Sequence, residues 1–188
     1  MDELSDEPEE VKEVFDWYRE NFGFVPNLAK VLSGSPAALR SYWLSQLQLQ
    51  KHGLLTPEEH NVNQMAIGVE NRCKYSASGH QLAGDLFFNS DSEDLVAIRN
   101  EDEISNKKFN ALRAFALEVY RHKGRVKDSE LREFISAGYS KSQAVEMITN
   151  IGVKVMANLT NQLAMTSIDD QFAPLAEGLF ENSVEVTL

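Results

Sequence analysis

Thr56-Pro57-Glu58-Glu59 is a helix start written out in full, and the same device recurs along the chain. The Thr56 hydroxyl can cap the first turn, proline suits the first helical position, and Glu59 three residues on closes a capping box. Ser35-Pro36 repeats the cap and proline, and Ser140 with Gln143 makes a second box. Ser105 and Asp128 are candidate caps for two further helices. Behind these signals the apolar residues recur at helical spacing: Val62, Met65, Ala66 and Val69 in one segment, and Val145, Ile148, Gly152, Val155, Leu159 and Leu163 in another. No stretch shows sustained period-two alternation. The expected class is all-α, with helices near 8–21, 26–33, 36–52, 57–71, 74–88, 92–99, 106–122, 128–136 and 141–165.

The organisation that follows is an acidic helical lead-in over 1–20, one domain over 21–170, and an irregular acidic tail over 171–188. A faint internal echo accompanies it. Ala38-Leu39-Arg40 recurs as Ala111-Leu112-Arg113, and His80-Gln81-Leu82-Ala83 is matched by Asn161-Gln162-Leu163-Ala164. In that register Lys154 and Ala157 stand where Cys73 and Ser76 stand in the first half. Either the chain is two related helical halves with only the first equipped for chemistry, or two amphipathic helices resemble one another by chance.

Charge narrows the partners. A net charge of −11 disfavours nucleic acid and anionic membranes, because phosphate binding needs clustered Lys and Arg. The acidic runs read as solvated surface that keeps the protein soluble. No apolar run approaches the roughly 18–20 residues of a membrane span. The acidic start, MDELSDEPEEVKE, is the opposite of a signal peptide's basic one, so the expected location is cytoplasmic. One cysteine excludes an internal disulfide framework and a thiolate-rich zinc site. No histidine pair has ligand spacing and no Gly-rich loop could cradle a phosphate, so neither metal nor cofactor is expected. His52 and His122 read as helix-end cations, and His60 as a first-turn residue with no evident partner. Phe15, Trp17, Tyr18, Phe22, Phe24, Tyr42 and Trp43 read as packing for the N-terminal helices. In the last long helix Asn150, Lys154, Asn158 and Asn161 form a polar stripe opposite the apolar one; it reads as surface, or else as the lining of a site or subunit interface.

The chemistry concentrates between Asn71 and His80, where one helix ends and the next begins. A cysteine there lies near unpaired backbone N–H groups and the positive end of a helix dipole. These favour the ionised, nucleophilic sulfur, as do Arg72 and Lys74 beside it. Ser76 and His80, three and seven residues on, return to the face of Cys73. The hydroxyl can donate to the sulfur, and the imidazole can move protons near neutral pH.

Cys73-x-x-Ser76-x-x-x-His80 resembles the C-x-x-C-x-x-x-H signature of the carboxymuconolactone decarboxylase and alkylhydroperoxidase D-like family. The helix from Leu55-Thr56-Pro57 to Glu70-Asn71-Arg72 resembles the family's lead into that motif. Phe24-Val25-Pro26-Asn27-Leu28 and Ser35-Pro36 resemble the N-terminal extension of its longer, peroxidase-related members, and Arg125-Val126 and Ala137-Gly138-Tyr139-Ser140 the linkers of their later helices. The resemblance spans about residues 20–170. It implies an alkylhydroperoxidase D-like helical bundle, self-association as dimer, trimer or hexamer, and a dithiol–disulfide cycle with protons handled by a histidine and an upstream glutamate.

Two positions depart from the pattern. The second cysteine falls on Ser76, which cannot form a disulfide, and the glutamate falls on Asn61, which cannot shuttle protons. Glu70, three residues before Cys73, is the other candidate carboxylate for a proton relay. Three expectations remain. Cys73 alone reduces a small peroxide and is regenerated by an external thiol; or His80 performs cofactor-free acid–base chemistry on a lactone-acid, as in the decarboxylase branch; or the site has decayed and an oligomeric module remains.

Overall fold

The computed structural model describes residues 8–88 and 90–180, and among these it contains ten helices and no strand. In order they are α1 (Glu9–Phe22), α2 (Asn27–Leu32), α3 (Pro36–His52), α4 (Pro57–Glu70), α5 (Lys74–Phe87), α6 (Ser92–Arg99), α7 (Lys107–Arg121), α8 (Asp128–Ser136), α9 (Lys141–Leu163) and α10 (Ala173–Ala176). None is long and apolar enough to cross a membrane.

The expected starts form where the side chains can make them. Thr56 accepts from Glu59 N at 3.1 Å while Glu59 accepts from Thr56 N at 2.9 Å, and Ser140 with Gln143 forms the second box. Two caps lie one residue from their expected places. Asn106 rather than Ser105 caps α7, accepting from Lys108 N and Phe109 N, and Asp128 is the first residue of α8 instead of its cap. Ser105 is occupied elsewhere, its hydroxyl and backbone N–H both donating to Asp94.

α4 is the axis of the bundle. Every residue from Glu59 to Val69 is buried, because α5, α7 and α9 pack around it. One apolar cluster lies on its α6–α8 side, built on Met65, Ile67, Ile98, Leu112, Phe134 and Met147. A second lies toward α1–α3, with Val14, Phe15, Leu39, Trp43, Cys73 and Ala157. The N-terminal aromatics pack as expected, Trp17 meeting Trp43 at 6.1 Å and Phe22 meeting Phe87 at 5.2 Å between ring centres. α1 is thus part of the core rather than a separate lead-in.

The segment expected to be an irregular tail is also built in, as far as residue 180; residues 181–188 fall outside the described residues. Phe172 and Leu179 are buried, and Arg99 donates to the carbonyls of Leu175 and Glu177.

α9 reverses the expected orientation. Its polar stripe faces inward, with Asn150, Lys154, Asn158 and Asn161 all buried. Its apolar stripe faces out: Val145 is 67%, Ile148 53%, Leu159 61% and Leu163 85% exposed. His60, expected to lack a partner, closes the inner end of this polar stripe. It lies 3.1 Å from Glu146, and its Nδ1 accepts from the Asn150 amide. The Glu146 carboxylate also accepts from the backbone N–H groups of Leu54 and Leu55, pinning the α3–α4 loop to α9.

Candidate active site

The turn carrying Cys73 is a helix ending that hands the chain directly to the next helix. α4 closes with Cys73 N–H donating to Gly68 O and Arg72 N–H donating to Val69 O, each at 2.9 Å. That is the Schellman pattern, which needs a left-handed residue between cap and exit. Arg72 supplies it at φ 51°, a conformation costly for a residue with a Cβ. The reversal places Cys73 as the N-terminal flanking residue of α5, its carbonyl already accepting from Ala77 N–H.

α5 can then lie close against α4 because residue 68 is glycine. A Cβ on Gly68 would sit 3.1 Å from the Ser76 Cβ and 3.4 Å from the Ala77 nitrogen. This contact buries Ser76 with its hydroxyl unpartnered among the described residues. Tyr75 fixes the other face of α5: its hydroxyl donates to Asp169 at 2.5 Å and accepts from Leu28 N–H at 3.0 Å. Asp169 in turn accepts from Asn27 N–H, so α2, α5 and the segment after α9 are tied behind the cysteine.

His80 is held by Asn61 through two hydrogen bonds. The Asn61 amide nitrogen donates to the His80 carbonyl at 3.1 Å, which turns its oxygen toward His80 Nδ1 at 2.8 Å. An amide oxygen only accepts, so Nδ1 carries the proton and Nε2 keeps its lone pair. Burial, aided by the charge of Lys154, drives the His80 pKa well below its ordinary value. The imidazole is therefore neutral at physiological pH and presents Nε2 as a base. Gly84 leaves room for this clamp, since a Cβ there would lie 2.9 Å from the Asn61 amide nitrogen.

The structure brings Cys73, Ser76, His80 and Asn61 to one seam between α4, α5 and α9, and turns Glu70 away. Glu70 makes a two-pronged pair with Arg121, at 2.8 and 2.6 Å, that lowers its pKa and removes it from any relay with Cys73. The cations adjacent in sequence are also misplaced: Lys74 is exposed, and Arg72 reaches Glu101 at 3.3 Å and lies over the Phe180 ring.

The cation that does approach the sulfur is Lys154. It is 2% exposed and makes no hydrogen bond or ion pair with any described residue. Burial lowers its pKa to about 8, with the negative charge of an ionised Cys73 acting in the opposite direction. Asn161 approaches Cys73 too, its amide nitrogen 3.9 Å from the sulfur. The second half of the chain, expected to be unequipped, thus supplies the site's cation. The polar spacing 150–154–158–161 was the available signal. Among the described residues no cluster of His, Cys, Asp or Glu could hold a metal ion.

No protein-family model and no curated protein matches this sequence. Solved structures do match its fold. An uncharacterized peroxidase-related protein from Ralstonia eutropha JMP134, described as an alkylhydroperoxidase AhpD core, superposes with a TM-score of 0.80 at 19% identity over 91% of each chain. A peroxidase-related protein from Silicibacter sp. TM1040 gives 0.77 at 16% identity over 89% of each chain. The debrominase Bmp8 gives 0.75 at 18% identity over 93% of each chain. The chain therefore has the all-helical alkylhydroperoxidase D-like fold.

Proposed function

We propose that this chain, with the fold of the alkylhydroperoxidase D-like proteins as premise, is a one-cysteine member of that group in which Cys73 reduces a peroxide. The observation that carries this reading is the convergence of buried Cys73, half-buried neutral His80 and a buried Lys154 with no counter-charge among the described residues. A lone ammonium removed from water costs several kcal/mol, and an apolar side chain of similar size would avoid that cost. A purely structural helix contact has no use for it. Perturbed groups converging beside a nucleophile are what catalysis requires.

The chemistry balances within these groups and one external reductant. His80 Nε2 takes the Cys73 proton as substrate enters. The sulfur attacks the terminal peroxide oxygen, the S–O bond forms as the O–O bond breaks, and the departing alkoxide recovers the proton from His80. Cys73 becomes a sulfenic acid and the peroxide an alcohol. One external thiol condenses with the sulfenic acid, releasing water, and a second restores Cys73 while leaving as a disulfide. Asn61 holds the imidazole's tautomer and carries no proton. The decisive assay is peroxide consumption by the full chain with excess thiol: it is expected to be catalytic and lost in Cys73→Ser. Retention of turnover in that variant refutes the reading.

A second reading rests on the same imidazole. A half-buried imidazole with a free Nε2 could act as a base on a lactone-acid without the sulfur. In that case turnover of such a substrate survives Cys73→Ser and disappears in His80→Gln.

The outward face of α9 supports self-association with a second copy. Val145, Ile148, Gly152 and Leu159 are exposed along it at helical spacing, with half-buried Val155 at its edge, and none carries a charge. Gly152 lies in the middle of that face, and a Cβ there would meet nothing within the chain.

A further inference from the structure

We infer that Lys154 is the anion-binding group of the Cys73 site, and that the substrate carries a negative charge, in the simplest form a carboxylate, beside the atom the sulfur attacks. The inference rests on the reading of Cys73 as a nucleophile and specifies the substrate class. It starts from what Lys154 lacks. Each carboxylate near the seam is already committed: Glu59 to Lys108 at 2.7 Å, Glu146 to His60 and two backbone N–H groups, Asp169 to Tyr75 and Asn27, and Glu70 to Arg121. None faces Lys154. Lys154 lies on the inward face of α9, one turn before Asn158, which donates to Ile67 O, and two turns before Asn161, whose amide nitrogen approaches the Cys73 sulfur. Its charge acts on both Cys73 and His80.

The surroundings suit an incoming anion. Ser76 keeps a buried hydroxyl without a partner, able to donate to the same group. Asn158 is anchored by its donation to Ile67 O at 3.2 Å, which leaves the Asn161 amide nitrogen, 3.9 Å from the Cys73 sulfur, as the second donor beside the reacting atom. A bound carboxylate would give Lys154 the counter-charge that no described residue supplies, so binding would offset the desolvation already incurred on folding. Because the chain as a whole is at −11, its long-range field repels anions. Selection of a negative substrate must therefore come from a local cation, and Lys154 is the buried one among the described residues. Its lowered pKa, about 8, still leaves it mostly protonated at neutral pH.

Two alkylating reagents of nearly one size test this on the full chain: iodoacetate, an anion, and iodoacetamide, which is neutral. Both form the same S–CH2 bond and release iodide, so the ratio of their rates cancels any change in the sulfur's ionisation. In the native protein the iodoacetate-to-iodoacetamide ratio should exceed that of the urea-unfolded chain by about tenfold, the scale of one close charge pair in a partly shielded site. Lys154→Met should abolish that excess, and Lys154→Gln provides a polar neutral variant with the same expected result. An unchanged ratio in folded variants overturns the inference. If folded Cys73 reacts with neither reagent, the nucleophile reading falls instead. Lys154 is then judged in the Cys73→Ser protein by the Tm shift with sodium benzoate. A rise that disappears on adding Lys154→Met supports the anion site, and no rise overturns it.

Discussion

At the scale of the residue, the molecule depends on buried polar groups whose partners are either fixed or withheld. Asn61 is the fixed case. Replacing it by Leu leaves the half-buried His80 Nδ1–H without its acceptor, so Asn61→Leu should lose about 1 kcal/mol in urea unfolding. Cys73 oxidation should slow as well, because the Nε2 lone pair is no longer guaranteed. Lys154 is the withheld case. Its pKa falls from 10.5 unfolded to about 8 folded, so the unfolded chain binds the proton more tightly between those values. The charged form thus costs the folded state about 3 kcal/mol at pH below 8. That penalty shrinks as pH rises from 8 toward 10.5. Lys154→Met should accordingly be more stable than the native chain at pH 7, with the two converging near pH 10.5 in denaturant titrations. Neither role could be read in sequence. The proximity of Arg72 and Lys74 to Cys73 pointed to the wrong cations, since the left-handed turn at Arg72 sends its guanidinium to Glu101.

At the scale of the element, the helices were legible and the crossings were not. Thr56 and Glu59 specify a start through their own short-range hydrogen bonds, which is why the α4 boundary followed from sequence. Gly68 is different, because its value is set by Ser76 on another helix. In sequence it is only a glycine within a helix, a residue that weakens the helix by about 1 kcal/mol relative to alanine. In the structure it sets how close α5 approaches. Gly68→Ala should therefore destabilise by about 1–3 kcal/mol despite the gain in helix propensity, because the Ser76 Cβ, 3.1 Å away and fixed to its own backbone, cannot yield as the end of a flexible side chain would. Equilibrium unfolding monitored by circular dichroism checks the sign. A stabilised variant would show that α4 and α5 are less closely packed than described. α9 shows the limit of pattern reading. Both its stripes run the length of the helix at similar spacing, and hydropathy alone assigns the apolar one to the core. The buried site claims the polar stripe instead.

At the scale of the whole molecule, that inversion has a consequence for assembly. A chain at −11 repels its copies, yet α9 presents a long uncharged apolar face to the outside. Exposed apolar surface of this kind is a feature of interaction sites, and a second copy is proposed to cover it. Ile148→Glu combined with Leu159→Glu should yield a monomer by sedimentation equilibrium with its helix content retained, whereas the native chain should sediment as an oligomer. A native monomer would remove the proposed role of this face. The fold class was legible because helix signals are local and numerous here. The motif from Cys73 to His80 pointed to the candidate site, and the polar spacing of α9 put Lys154 on a stripe able to line it, but only the folded bundle brings that stripe against the motif.

The central claim is that Cys73, although buried, is a working nucleophile, and intact mass spectrometry of the peroxide-treated full chain tests it most directly. A one-cysteine enzyme should gain a single oxygen on Cys73, reversed by added thiol, with the gain slowed at least about tenfold in His80→Gln. A Cys73 that stays reduced under peroxide, while reacting freely once the chain is unfolded, would contradict the claim.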